Sequence, residues 1–416
     1  MNSLQTYIPM FEKTINILAT NQYKLWSLII ELVKLQPTKT MLYEIQEYAV
    51  MASDRWNEYV FCEKINSSKF SIAMQRNTIE QHTKISKEKR AQIKGTFIPL
   101  PIESTKFLDK LTKIPIVIQE IYVKDAKPSE SIEKSKENEK EIVKEKGKYK
   151  QKALTLFVLV HGYQGNSNDL RLIKSYITLC YPNSKFLCSN KNENDTKSSI
   201  IDMGRILATE VKDYIKEEFN NEMPTKLSFI GHSLGGVIIR AALPHLHEYK
   251  GIMNTFMTLS SPHLGLMYNT NSLVSTGVWF MKTFSTTRSL QQLSLNDDPI
   301  IENTALYKIS LNEGLEWFKY VVFASSHNDF YSPFESARIE LNDKVFKDKV
   351  KGKAYIQMSD NILSRITAKS VYKLDVDFKI DKKQLDKMIG RAAHIEFLDD
   401  EFWIQIVVSK MPELFE

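Results

Sequence analysis

The chain has 416 residues, of which 43% are hydrophobic and 25% charged, a composition typical of a folded globular protein with a large core. Its net charge of +6 is modest for this length and is partly concentrated in one lysine-rich stretch. We therefore expect no nucleic-acid partner, whereas a weak attraction to anionic membrane surfaces stays open.

The cysteines and the apolar runs indicate the compartment. Cys62, Cys180 and Cys188 form an odd set whose spacing matches no metal site, and such a set is typical of a reducing compartment. The N-terminus lacks the basic flank and apolar run of a signal peptide. No stretch approaches the roughly 18 consecutive apolar residues of a membrane span. These features predict a cytoplasmic protein, with only peripheral membrane contact, that needs no metal or cofactor.

Residues 1–123 are predicted to form a mainly helical N-terminal region. Apolar residues recur there at three- and four-residue spacing as far as about residue 90. The β-branched run at 115–123 predicts an outer strand. Because Ser, His and Asp do not cluster here, the region is interpreted as a packing module whose helices could also bind a protein partner.

The stretch 124–152 consists mostly of Lys, Glu and Ser. Such low hydrophobicity cannot offset the entropy of ordering, so a charged, flexible insert is predicted. A recognition site for an acidic partner is the alternative interpretation.

Residues 153–416 alternate strands with helices and predict the main domain. The run 153–160 is apolar on both faces, as buried parallel strands are. The repeated βα pattern that follows predicts a mostly parallel, doubly wound sheet. Between about 264 and 315 the alternation stops and large apolar residues accumulate. This predicts a lid-like insertion above the site. Packing of the same residues into the core is the alternative.

A G-x-S-x-G motif centred on Ser233 lies between a predicted strand at 227–230 and a predicted helix at 237–243. Strand, small-residue turn and helix are the context of a nucleophile elbow. Gly231 and Gly235 let the two elements approach each other closely. A plain strand-to-helix turn, with Ser233 as a helix N-cap, is the alternative.

A nucleophilic serine needs a basic histidine and an acid that orients it, and in α/β-hydrolases these follow in the order Ser, acid, His. Asp329 directly follows the predicted strand 318–324, and strand C-termini are where active-site groups gather. Other downstream acids are expected in polar turns or at the surface: Asp297, Asp298 and Asp343. His394 is the only histidine after Asp329, and it is expected to lie in a later loop that returns to the site. Ser233, Asp329 and His394 are therefore the predicted triad.

Two backbone amides are predicted to form the oxyanion hole. One is the N–H of Leu234, next to the nucleophile, and the other is the N–H of Tyr163, in the loop after the early strand. Apolar and polar residues near the predicted lid are the candidate substrate-binding set: His263, Leu264, Leu266, Trp279 and Phe280.

Several motifs together resemble the eukaryotic putative serine esterases, a lipase-like branch of the α/β-hydrolases. They are Gly165-Asn-Ser-Asn-Asp-Leu-Arg171, the elbow Phe229-Ile-Gly-His-Ser-Leu-Gly235, the loop Ser260 to Gly265, the stretch Asn269 to Trp279, and Gly390-Arg-Ala-Ala-His-Ile395. The resemblance runs from about 154 to 408. It implies the α/β-hydrolase fold and the same triad of Ser233, Asp329 and His394.

The chain departs from this branch at two positions. Ser332 stands where relatives more often have valine, and Gly236 stands where close relatives can have asparagine. Motifs and resemblance together predict a serine hydrolase that cleaves carboxylic esters, lipid-like ones in particular, through an acyl-enzyme. A catalytically silent scaffold and an acyltransferase with the same triad are the alternatives.

Overall fold

The computed structural model describes residues 60–65, 78–96, 114–123, 154–220, 222–268, 287–368, 370–379 and 385–416. They form one eight-stranded sheet in the order β1-β2-β8-β7-β6-β5-β3-β4. The strands are β1 Val60–Ile65, β2 Ile116–Val123, β3 Thr155–Val160, β4 Ser184–Cys188, β5 Lys226–His232, β6 Met253–Leu259, β7 Tyr320–Ser325 and β8 Ser370–Asp377.

Strands β3 to β8 run parallel to one another, and β1 is parallel to β2. Strand β2 pairs antiparallel with β8, so the two N-terminal strands extend the sheet at its β8 edge. The predicted mostly parallel, doubly wound sheet is therefore confirmed, and the chain has the α/β-hydrolase fold.

Helices cover both faces of the sheet. Their bounds are α1 Thr78–Thr96, α2 Arg171–Cys180, α3 Ile200–Glu218, α4 Leu234–Ala242, α5 Arg288–Leu293, α6 Ala305–Ser310, α7 Phe334–Arg338, α8 Asp343–Lys347, α9 Gly352–Arg365, α10 Leu385–Asp399 and α11 Glu401–Lys410. Short 3-10 segments lie at Leu243–Ile252, Ile301–Asn303, Leu315–Trp317 and Pro412–Leu414.

Each strand supplies both cores, because successive side chains point to opposite faces. On β3, Leu156 and Val158 pack with the buried sides of α3, α4 and α9. Phe157 and Leu159 face the other way and pack with α2, α10 and α11. A strand that is buried on both faces consists of consecutive apolar residues. Strand β3 could therefore be predicted from its sequence.

Strand β1 corrects the helical interpretation of the region around residue 60. Val60 belongs to the apolar pattern that predicted a helix there. In the structure, however, Val60–Ile65 is extended and pairs with β2 from Val117 onward. Tertiary pairing overrides local spacing in this short segment, because each backbone group gains a partner on β2. Most of residues 1–123 and all of the charged insert 124–152 lie outside the described residues.

The described parts of the predicted lid are helical turns that pack inward. Leu264, Leu290 and Leu306 belong to the core on the α3 side of the sheet. For these residues the alternative interpretation, packing into the core, describes what the structure shows. Residues 269–286, the centre of the predicted lid, lie outside the described residues.

Among the described helices, none combines the length and hydrophobicity that a bilayer span requires.

Candidate active site

Ser233 lies at the tip of a sharp turn between β5 and α4. Its backbone has φ 54° and ψ −124°, a conformation that a residue with a side chain adopts only under constraint. The Ser233 N–H donates to the Leu259 carbonyl at 2.9 Å, which fixes the turn against β6. A Cβ at Gly231 would lie 2.6 Å from the Gly236 nitrogen, so this close approach requires glycine. Ser233 therefore has the geometry of a nucleophile elbow.

Asp329 is fully buried in the loop after β7, at the C-terminal edge of the sheet. Its Oδ1 accepts hydrogen bonds from the Tyr331 N–H at 2.7 Å and the Ser332 N–H at 3.2 Å. Its Oδ2 lies 2.6 Å from His394 Nδ1 and also accepts from the Ser260 hydroxyl. Four donors around one carboxylate fix its direction.

His394 is contributed by a helix and not by the loop that the sequence suggested. It lies in the second half of α10, and its side chain is buried against the acid loop. The small residues Ala392 and Ala393 precede it, and helix formation continues through them because alanine favours a helix. Its Nδ1–H donates to Asp329, which leaves Nε2 as the nitrogen that can accept a proton.

His394 is also next to the elbow. Its ring centroid lies 4.7 Å from that of His232, the residue before Ser233. His232 Nε2–H donates to the His394 carbonyl at 3.0 Å, and the Tyr331 ring stacks on the imidazole at 5.7 Å. Burial, followed by the nearby His394, lowers the pKa of His232 to about 3, so His232 is neutral and acts as a donor in this contact.

Three of these neighbours were missed by the sequence reasoning. His232 and Tyr331 orient the imidazole, and Ser260 adds a donor to the acid. His232 had a usable signal because it belongs to the elbow motif. Ser260 had one because it opens the Ser260 to Gly265 motif and follows directly after a buried strand. It also has a positive φ of 51°, which turns its hydroxyl toward the acid loop.

The two predicted oxyanion amides are available. Within the described part of the chain, the N–H groups of Tyr163 and Leu234 donate to no acceptor, whereas those of Gln164 and Ser233 do. A Cβ at Gly162 would lie 2.9 Å from the Ser233 Cβ, so the loop that bears Tyr163 passes directly beside the nucleophile. Gln164 N–H donates to Thr196 Oγ1 at 3.1 Å and holds this loop in place. Unpaired amides beside a serine are what an oxyanion hole requires.

The predicted substrate-binding residues do not form one surface. His263 is fully buried between the Phe256 and Phe323 rings, and its Nε2 bonds Thr258 Oγ1 at 3.0 Å. The expectation that His263 lines the pocket is therefore corrected, because the strand end carries it down into the core. Leu264 is buried in the core as well, whereas Leu266 is partly buried. Trp279 and Phe280 lie outside the described residues.

A polar cavity of about 920 Å³ opens beside the start of α3, and Arg288, Gln292, Asp298 and Lys308 are among its lining residues. None of the three triad candidates lines it. Asp297 and Asp298 instead accept backbone N–H groups, of Ala305 and Ile300 respectively, at 2.8 Å each. These two acids therefore serve local turns, as expected from the sequence.

The loop that carries Asp329 is held on its other side by carboxylates of β8. His327 Nδ1 lies 2.9 Å from Asp375 Oδ2, and the His327 N–H donates to Asp375 Oδ1 at 3.2 Å. Asn328 Nδ2 donates to Asp377 Oδ1 at 3.0 Å. The two residues that precede Asp329 are thus fixed to the neighbouring strand, which leaves Asp329 little freedom to move.

Asp375 belongs to a buried ionic cluster that joins the N-terminal segments to the acid loop. His82 of α1 places Nδ1 2.8 Å from Asp375 and Nε2 3.2 Å from Glu120 of β2. Arg338 of α7 lies 2.8 Å from Glu120 and 3.2 Å from Glu340. Because both ring nitrogens of His82 face carboxylates, both must be donors, and His82 is an imidazolium.

The cluster shifts its members' pKa values in opposite directions. Burial alone would lower the pKa of His82, but its hydrogen bonds to Asp375 and Glu120 outweigh burial and raise the pKa to about 9. Burial would raise the pKa of Asp375, yet the charges and hydrogen bonds of His327 and His82 hold it well below its usual range. Arg338 also faces His82, and its positive charge opposes the protonation of His82.

We expect protein stability to fall as the pH rises from neutral toward about 10. A group whose folded pKa is raised stabilises the fold fully below its unfolded value of 6.5, and this stabilisation is lost as the pH passes its folded value of about 9. The thermal midpoint of His82→Gln should therefore lie below that of the unmodified protein at pH 6 and approach it at about pH 10. His245→Gln, at an exposed histidine, serves as the control. A constant difference between the two proteins across this range would contradict the assignment.

Comparisons with known proteins agree with the motifs. Residues 150–341 match the family model described as "Putative serine esterase (DUF676)". The "Putative lipase ROG1" of Saccharomyces cerevisiae is 30% identical over 209 residues, which are 46% of this chain and 30% of that protein. The "Putative lipase YDL109C" of the same yeast is 29% identical over 205 residues, 45% of this chain and 30% of that protein. The resemblance to this serine esterase family is therefore confirmed.

The matched segment contains Ser233 and Asp329 and ends before His394. The chain spans about a third of the length of the two yeast relatives that it matches. Among solved structures, the esterase Pf2001 of Pyrococcus furiosus is 14% identical, covers 64% of this chain and 84% of its own, and gives a TM-score of 0.35.

Proposed function

We propose that this protein is a serine hydrolase that cleaves carboxylic esters through an acyl-enzyme. The observation that carries the proposal is the contact of 2.6 Å between Asp329 Oδ2 and His394 Nδ1, immediately beside a serine whose backbone has φ 54°. A buried carboxylate that orients a histidine next to a strained serine is an arrangement that activates a nucleophile. The match to a serine esterase family supports the same chemistry.

In the proposed reaction, His394 Nε2 takes the proton of the Ser233 hydroxyl as the serine oxygen attacks the ester carbonyl. The amides of Tyr163 and Leu234 stabilise the negative charge on the carbonyl oxygen. His394 then gives its proton to the departing alcohol, and the acyl group stays on Ser233. A water that His394 deprotonates releases the acid and restores the serine. Asp329 keeps the proton on Nδ1 throughout, so that Nε2 can exchange protons at each step.

Lipid-like esters are the substrate class that we propose. The run 273–281 carries valine, tryptophan, phenylalanine and methionine in a segment that follows a strand of the sheet, and such a segment suits an acyl chain. The two yeast relatives are named as lipases, which supports the same class. The site itself suits esters in general, so the proposed lipid class rests on this segment and on the names of those relatives.

Labelling with a fluorophosphonate probe tests the nucleophile. We expect the purified protein to be labelled, Ser233→Ala to be unlabelled, and Ser364→Ala, at an exposed serine on α9, to be labelled normally. A series of esters with increasing acyl length then tests the substrate class, with higher kcat/KM expected for longer chains. Product analysis with and without an alcohol acceptor separates hydrolysis from acyl transfer.

Two results would change the proposal. If Ser233 is not labelled, the chain acts as a scaffold and the hydrolase proposal fails. If Ser233 is labelled but short acyl chains are preferred, the hydrolase proposal stands and the lipid class fails.

A further inference from the structure

Residues 343–353 form a lysine-rich turn that presents apolar side chains to solvent; we name it the basic loop. It contains α8, a turn at 348–351 and the start of α9. Phe346 is 45% exposed and Val350 is 87% exposed. Single exposed apolar side chains are ordinary, but here two of them lie on one short turn.

The backbone of the basic loop holds these two side chains outward. Val345 is buried and anchors α8 to the core. A Cβ at Gly352 would lie 2.2 Å from the Val345 carbonyl oxygen, so the turn closes tightly against α8. Asp348 Oδ1 accepts the N–H groups of Val350 and Lys351 at 2.9 Å each, which fixes the tip. Phe346 and Val350 therefore cannot collapse inward without breaking this turn.

Positive charge surrounds the apolar tip. The basic loop contains five lysines against two aspartates, a net charge of +3 within eleven residues. The lysines are Lys344, Lys347, Lys349, Lys351 and Lys353, all exposed except the half-buried Lys351. One of the aspartates, Asp348, directs its carboxylate to backbone amides and to the hydroxyl of Tyr268.

We propose that the basic loop docks the protein on an anionic lipid surface, with Phe346 and Val350 entering the interface and the lysines contacting the headgroups. Apolar side chains ringed by lysine match the boundary between acyl chains and headgroups in both polarity and charge. Lysine is a flexible point charge that suits a fluid array of anions, whereas a fixed acidic partner protein would favour arginine with its bidentate geometry.

The basic loop is connected to the edge of the sheet that carries the candidate active site. Tyr268 OH donates to Asp348 Oδ2 at 3.0 Å, and Asn342 Nδ2 donates to the Tyr268 carbonyl at 2.9 Å. Tyr268 lies on the segment that leaves the C-terminal end of β6, the same edge of the sheet at which Ser233 and Asp329 lie. Docking through this loop would bring that edge to the lipid surface. This role in substrate access rests on the proposed function, whereas docking itself does not.

Vesicle co-sedimentation of the Ser233→Ala protein tests docking without catalysis. We expect binding to phosphatidylcholine vesicles that contain about 30% phosphatidylserine, weaker binding to pure phosphatidylcholine, and loss of binding at high salt. The double variant Lys347→Gln/Lys349→Gln should bind the anionic vesicles about 25-fold more weakly, since each lysine near such a surface contributes roughly fivefold. Phe346→Ser should weaken binding by about tenfold.

Met223→Ser is the matched control, because Met223 is 55% exposed but precedes β5 at the opposite edge of the sheet. Its binding should equal that of the parent protein. All variants change exposed side chains, so their thermal midpoints should not move. In the catalytically intact background, the same substitutions should leave the cleavage of a water-soluble short-chain ester unchanged.

The proposal is overturned if the parent protein fails to sediment with anionic vesicles, or if the loop variants bind as tightly as the control. It is also overturned if polyglutamate binds the basic loop and Phe346→Ser has no effect on vesicle binding, since an acidic protein would then be the better partner. Vesicle binding without Ser233 labelling would keep the docking surface and remove only the hydrolase proposal.

Discussion

Replacing Asp329 by asparagine is expected to lower kcat by about 10³–10⁴-fold and to leave the fold intact. The side-chain oxygen of asparagine can still accept the N–H groups of Tyr331 and Ser332, so the loop keeps its shape. The amide NH₂ would then face His394 Nδ1, where two donors cannot bond each other. The imidazole would respond by moving its proton to Nε2, the nitrogen that must accept the proton of Ser233.

Turnover of a chromogenic ester at saturating concentration measures this effect, and circular dichroism checks the fold. Asp298→Asn is the matched control, because Asp298 also accepts a backbone N–H from two residues ahead but lies outside the triad. Its turnover should stay within about twofold of the parent, as is usual for a change at a surface turn. If Asp298→Asn lost activity and Asp329→Asn kept it, the assignment of the acid would be wrong.

Replacing Arg338 by methionine is expected to destabilise the protein by about 3–5 kcal/mol. Among the described residues, the change removes one of the two cations that form ion pairs with each carboxylate, so Glu120 keeps only His82 and Glu340 keeps only Lys373. Arg338 is fully buried and forms ion pairs with Glu120 and Glu340. Methionine has a shorter side chain but keeps the unbranched apolar stem of arginine, and its thioether can still contact an aromatic ring such as that of Phe334.

Chemical unfolding followed by tryptophan fluorescence measures the loss. Arg365→Met is the control, because Arg365 is partly exposed and lies 4.0 Å from Glu316, where an ion pair contributes only about 0–1 kcal/mol. Equal destabilisation by the two substitutions would mean that the buried pairs of Arg338 contribute no more than a surface contact.

The sequence was sufficient for the parts of the site that obey local rules. The elbow at Ser233 follows from a small-residue turn between a buried strand and a buried helix. Both the strand and the helix are recognisable from their runs of apolar residues. Asp329 could be chosen because it follows directly after a strand that is apolar on both faces, and such strand ends converge on one edge. The pairing of Asp329 with His394 then followed from chain order.

What the sequence could not predict depends on distant pairing. Strand β8 contains Lys373 and Asp375, which read as solvent-exposed, yet both are buried. Their burial is stable because each has a partner on another part of the chain: Lys373 pairs with Glu340, and Asp375 pairs with His327. No local pattern contains that information, since a charged residue is buried only when a partner from elsewhere is present.

The placement of His394 on a helix has a similar cause. A loop was predicted because a histidine far along the chain must return to the site, but α10 as a whole provides that return. Contacts of α10 and α11 with α2 carry the C-terminal segment across the sheet, and His394 reaches Asp329 from the side of a helix. Helix direction is set by packing between elements, which the spacing of residues within one helix does not specify.

The antiparallel pairing of β2 with β8 has a consequence for biosynthesis. The two strands are separated by about 250 residues of chain, and ribosomes add about 5–20 residues per second. Strand β8 is therefore synthesised roughly 12 to 50 s after β2. Until then the β2 edge that carries Ile116, Val117 and Ile118 has no strand to pair with on that side. During that interval a newly made apolar edge is open to any other nascent chain, so the yield of active protein in cells should depend on a chaperone that shields β2 until β8 arrives.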